Sequence, residues 1–64
     1  MDDRSANMIR EAARYLVHGE AVTITTTRPC WIIAQIDKLL EENGIQPLTR
    51  EILLCGLEIE ERLP

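Results

Sequence analysis

Apolar positions along the chain fall into three stretches of helical period and one of strand period. Met8, Ile9, Ala12, Ala13 and Leu16 recur at helical steps, which predicts an amphipathic helix over residues 4–18. Asp2, Asp3 or Ser5 is placed to cap its start, and His18-Gly19 to end it. Residues 21–27 alternate instead: Val22, Ile24 and Thr26 share one face, and Thr23, Thr25 and Thr27 the other. Their Cβ-branched side chains favour extended backbone, which predicts a strand.

Pro29 ends that strand and suits the first position of a second helix. Ile32, Ile33, Ile36, Leu39 and Leu40 form its apolar stripe over residues 29–42, and Asn43-Gly44 is the stop. Pro47 opens a third helix, predicted to run to about Arg62. Ile52, Leu53, Leu54, Cys55, Gly56 and Leu57 make that helix apolar nearly all round, so burial on several sides is expected. Gly56 within it implies close approach to a neighbouring helix or strand.

A chain of 64 residues forms one small domain, near the limit of independent stability. A lone strand leaves its backbone groups unpaired. The same strand from a second copy, antiparallel about a two-fold axis, is the simplest partner, and a second copy also surrounds the third helix. An obligate, intertwined homodimer follows as the expectation, with folding and association coupled.

Composition narrows the chemistry. Cys30, Cys55 and His18 have no metal-ligand spacing, and two thiols without a signal peptide suggest a reducing, cytoplasmic compartment. The cysteines are expected to pack as small hydrophobes. No apolar run reaches the length of a membrane span. No nucleophile–base pair or paired catalytic carboxylates stand out, so neither catalysis nor a cofactor is expected. Net charge is −4. Arg10 and Arg14 lie one helical step apart on the first helix, where a solvated face or an auxiliary phosphate contact is expected.

The register "VTITTTRPCWIIAQIDKLLEENG…LTREILLCGLEI" resembles the ribbon-helix-helix family, in its MetJ/Arc branch. Proline opens the first helix, "EENG" closes it, and "REI" falls near the start of the next. The resemblance covers about two-thirds of the chain and leaves residues 1–20 as an N-terminal accessory helix before a ribbon-helix-helix domain at 21–64. It implies a mainly helical fold whose single strand pairs antiparallel in the homodimer. The two-stranded ribbon would enter the major groove of double-stranded DNA. Thr23, Thr25 and Thr27 would then read base edges. Arg28, Leu48, Thr49 and Arg50 would hold backbone phosphate. The function implied is a sequence-specific transcriptional regulator, acting as a repressor.

A protein-interaction module on the same dimeric fold, antitoxin-like or regulator-binding and with little or no DNA binding, is the alternative. Residues 21–64 net −3, with Arg28, Lys38, Arg50 and Arg62 against Asp37, Glu41, Glu42, Glu51, Glu58, Glu60 and Glu61. Acidic charge opposes phosphate binding. The outward strand positions also lack basic or amide groups, and the apolar stripe of the first helix offers a surface to a protein partner.

Overall fold

The computed structural model describes residues 2–63. Its elements run α1 (Asp3–Val17), β1 (Val22–Thr26), α2 (Pro29–Glu42), α3 (Pro47–Leu54) and β2 (Leu57–Glu61). The chain is mainly helical, with one two-stranded sheet.

Local chemistry sets the helix ends. The Asp2 side chain accepts the Ser5 N–H at 2.8 Å and caps α1. That bond, then the Ser5 hydroxyl, holds the Asp2 carboxyl below the ordinary aspartate range. Both α1 and α2 end on a left-handed glycine, Gly19 (φ 79°) and Gly44 (φ 81°). At each, two N–H groups bond back to the last turn: Gly19 to Leu16 O and Glu20 to Tyr15 O, Gly44 to Glu41 O and Ile45 to Leu40 O.

The third helix is shorter than its apolar pattern predicts. It stops at Leu54, and Leu57–Glu61 extends as a second strand. Gly56 sits at that change of direction, where a Cβ would lie 3.3 Å from Leu53 O and 3.4 Å from Leu16 Cδ2. The close approach expected at Gly56 is therefore made at a helix end and not within a helix.

The pairing of β1 also departs from expectation. It pairs parallel with β2 of its own chain, in the register Val22–Leu57, Ile24–Ile59, Thr26–Glu61. This replaces the antiparallel, two-chain ribbon and corrects the ribbon-helix-helix, intertwined-homodimer reading of the fold. The physical reason is that β2 is within reach: α2 and α3 form the long crossover that parallel strands require. The backbone need that pointed to a second copy is met internally along one side of β1.

Ile9, Ala12, Ala13 and Leu16 from α1, Ile24 from β1, and Ile32, Ile36 and Leu40 from α2 form the buried core. Val22, Leu57 and Ile59 are half-buried against it, so the inner face of the sheet packs on the helices. Because α1 supplies much of this core, it packs as an integral layer. Helix α3 has no fully buried residue, and Leu48 and Ile52 are 75% and 71% exposed. The expectation that this helix is enclosed on several sides is not met within the chain.

Ile36 and Leu40 are fully buried, at 0% exposure. Leu40→Ala should cost about 2–5 kcal/mol, a large share of the stability of so small a domain, measured by urea unfolding. A second outcome concerns pH. The Asp2 cap contributes stability fully present above the ordinary aspartate pKa, and lost as pH falls through the lowered folded value. On acidification, α1 helicity should fall in wild type and be preserved better in Asp2→Asn, which caps without ionising. Far-UV circular dichroism across that range reads the difference.

Candidate functional site

Of the residues expected to bind phosphate, Arg50 and Arg28 make side-chain contacts within the chain. Arg50 is mostly buried: its Nε lies 3.1 Å from Asp37 Oδ1, and a terminal nitrogen donates to Ile45 O at 2.6 Å. Its other terminal nitrogen lies 3.5 Å from Glu41 Oε2. One guanidinium thus ties α2, the turn after it and α3 together. The guanidinium of Arg28 stacks on the Trp31 ring, 4.3 Å from its centroid. Leu48 and Thr49 are exposed on the first turn of α3. The structure therefore does not bring Arg28, Leu48, Thr49 and Arg50 together as a set of free donors. Cys30 and Cys55, expected in the packing, are both exposed free thiols.

Thr23 and Thr25 do lie on the outward face of β1, and Thr27 falls just past its end. Across the sheet Thr23 is in register with Glu58 and Thr25 with Glu60. Thr25 Oγ1 is 3.5 Å from Glu60 Oε2. The face on which base-reading threonines were expected is thus half carboxylate, which opposes approach of a phosphate backbone.

The two edges of the sheet differ. Val22 N–H donates to Gly56 O at 2.9 Å, and Arg62 N–H donates to Thr26 O at 2.7 Å, at either end of the paired stretch. In a parallel ladder, alternate residues turn both backbone groups toward the same neighbour. Val22, Ile24 and Thr26 therefore face β2, and the N–H and C=O groups of Thr23 and Thr25 face the opposite edge. The outer edge of β2 is guarded by Glu58, Glu60 and Glu61, charges of the kind that discourage strand addition. The β1 edge carries no charge, proline or bulge between Val22 and Thr26.

That open edge borders a groove of about 450 Å³ between β1 and α1. Met8, Ala12 and Tyr15 line it from the helix, with Arg4, Asn7 and Glu11 alongside. The helix supplies apolar surface next to unpaired backbone groups, the combination an added strand requires. Sequence reasoning counted Met8 and Ala12 in the core stripe but missed Tyr15, which completes this second stripe at helical spacing. Tyr15 is 42% exposed.

Among the described residues no group of His, Cys, Asp and Glu is placed to hold a metal ion, and no helix is long and apolar enough to cross a membrane. Comparison with known families, with characterised proteins and with solved structures finds no match to this chain.

The engagement of Arg50 gives a direct outcome. Arg50→Ala should destabilise the fold by about 1.5–3 kcal/mol, the range for hydrogen bonds to charged groups. Thr49→Ala, at an exposed site, should change stability by no more than about 0.5 kcal/mol. Paired urea-unfolding curves compare the two.

Proposed function

We propose that this chain is a protein-interaction module that takes up an extended peptide segment as a third strand on the open edge of β1. The observation that carries this reading is the asymmetry of the sheet. One edge is guarded by three glutamates, while the other leaves the backbone of Thr23 and Thr25 beside an apolar groove. Main-chain hydrogen bonds supply affinity in this mode, and pockets for alternate side chains supply selectivity.

The groove defines the partner's chemistry. Alternate side chains of an added strand point to opposite faces. Those facing inward meet Met8, Ala12 and Tyr15, which favours apolar residues. Those facing outward lie beside Thr23 and Thr25, with Glu58 and Glu60 one strand further away. That face favours hydroxyl or basic residues. The favoured partner is therefore a segment alternating apolar with hydroxyl or basic side chains. DNA binding through the threonine face draws less support, because Glu58 and Glu60 share that face.

Thr25→Pro provides a selective test. The Thr25 N–H faces the open edge, so proline there removes no main-chain bond to β2, only the long hydroxyl contact with Glu60, but blocks an incoming strand. Short random peptides displayed on phage should yield segments of the alternating pattern that bind wild type. Thr25→Pro, checked for its fold by circular dichroism, should bind them at least about tenfold more weakly, a loss of about 1.4 kcal/mol. Failure to enrich any such segment, or equal binding by the two proteins, would remove the open edge from the function.

A further inference from the structure

On the far side of α1 from the strand groove, a second hollow of about 410 Å³ opens between α1 and α2. Arg10, Arg14 and His18 stand four residues apart along α1 and line one wall, so they share a helix face. Leu39 and Asn43 line the wall from α2, and Ala13 and Val17 lie between. We propose that this hollow binds a small phosphate monoester carrying a compact apolar body.

The charge distribution carries the inference. The chain is acidic overall, at −4, yet this lining contains no carboxylate. The ion pairs found among the described residues both belong to Arg50, so neither Arg10 nor Arg14 is neutralised by an acid. Like charges one helical turn apart repel, and an anion bridging them relieves that repulsion. Glu11 lines an adjoining hollow together with Arg10 and Arg14, and Glu42 lines another together with Arg10, but neither lines this one. Within this lining the charged side chains are Arg10 and Arg14, and His18 adds ring nitrogens, in a concavity whose walls concentrate the field of the two guanidinium groups.

The donors are suitable and incompletely used. Arg10 donates to Asn7 Oδ1, and Arg14 lies over the Tyr15 ring at 5.3 Å from its centroid. A guanidinium has five N–H donors, so each retains several. Two such forks fit the oxygens of a phosphate better than a single point charge would. The Asn43 side chain donates to Leu39 O at 2.8 Å, which fixes it at the rim.

The hollow also selects for shape. Its volume is at the low end of the range for small-molecule sites. Ala13, Val17 and Leu39 provide apolar surface for a ring or short chain next to the phosphate. A neighbouring hollow of about 250 Å³ shares Arg10 and Leu39 and gives that body room toward Gln35 and Lys38. A small molecule with both features fits this lining better than an extended polyanion, which would leave the apolar floor unused.

The test is a titration of the full chain with phenyl phosphate, followed by amide chemical shifts, with phenol and inorganic phosphate as separate arms. The proposal expects shifts centred on Arg10, Arg14, His18, Leu39 and Asn43. Phenyl phosphate should bind more tightly than either arm, and its affinity should fall about tenfold or more in Arg10→Gln/Arg14→Gln. Arg4→Gln/Arg62→Gln removes the same charge elsewhere and should leave binding unchanged. Glutamine keeps helix propensity at these exposed positions, and circular dichroism checks the fold of both variants. Equal loss in both double variants would reduce the effect to net charge and overturn the site. Phenol binding as tightly as phenyl phosphate would overturn the anion, and absence of shifts at these residues would overturn the whole proposal.

Discussion

The hydrogen-bonding demand of one strand organises this molecule. Val22–Thr26 exposes backbone groups on both sides, and a chain this short has little else to pair them with. Leu57–Glu61 returns parallel to it and satisfies one side. That return requires a crossover, which α2 and α3 provide, and a sharp exit from α3, which Gly56 provides. Helix α1 then covers the inner face of the sheet and supplies much of the core. With one side of β1 satisfied and the other open, the same constraint that builds the fold defines its most exposed recognition surface.

Charge is distributed to match. The outer strand bears Glu58, Glu60 and Glu61, and the inner strand bears only threonines on its outward face. On the helical side, Arg10, Arg14 and His18 line a hollow free of carboxylates. A net charge of −4 therefore conceals an uneven surface: an acidic edge, a neutral edge and a basic groove. Arg50 contributes little to that surface, being held by Asp37, Glu41 and a backbone carbonyl, while Arg28 is exposed with its guanidinium stacked on Trp31. Basic residues in a sequence mark a binding face only where the fold leaves donors on them free.

Much of the local structure was legible in the sequence. The apolar period of α1, the Val22/Ile24 alternation, Pro29 at the start of α2 and the two glycine stops each carry a local physical cause. The second strand was harder to read. Leu53, Leu54 and Leu57 fit a helical stripe, while Leu57-Glu58-Ile59-Glu60 fits strand alternation, and so short a run cannot separate the two by period alone. Gly56 and the unmet pairing of β1 favour a strand, but the apolar run from Ile52 to Leu57 reads as one continued helix, with Gly56 as a close approach inside it. With residues 57–61 read as helix, β1 has no partner in its own chain and antiparallel pairing between two copies follows; the observed parallel pair differs in topology. The candidate site was correspondingly half legible. Thr23 and Thr25 are outward, as the alternation requires, but an open edge has meaning only after its opposite edge is filled. The groove beside it depends on how α1 packs, which no local pattern specifies.

The fold rests on the parallel pairing of β1 with β2 of the same molecule. Cross-strand nuclear Overhauser effects, recorded on a mixture of labelled and unlabelled chains so that contacts within and between molecules separate, test it directly. A parallel pattern linking Val22 with Leu57 and Ile24 with Ile59, all of it within one molecule, is expected. Helical contacts continuing through residues 57–61, or an antiparallel pattern joining β1 to itself between molecules in place of the β2 contacts, would contradict it.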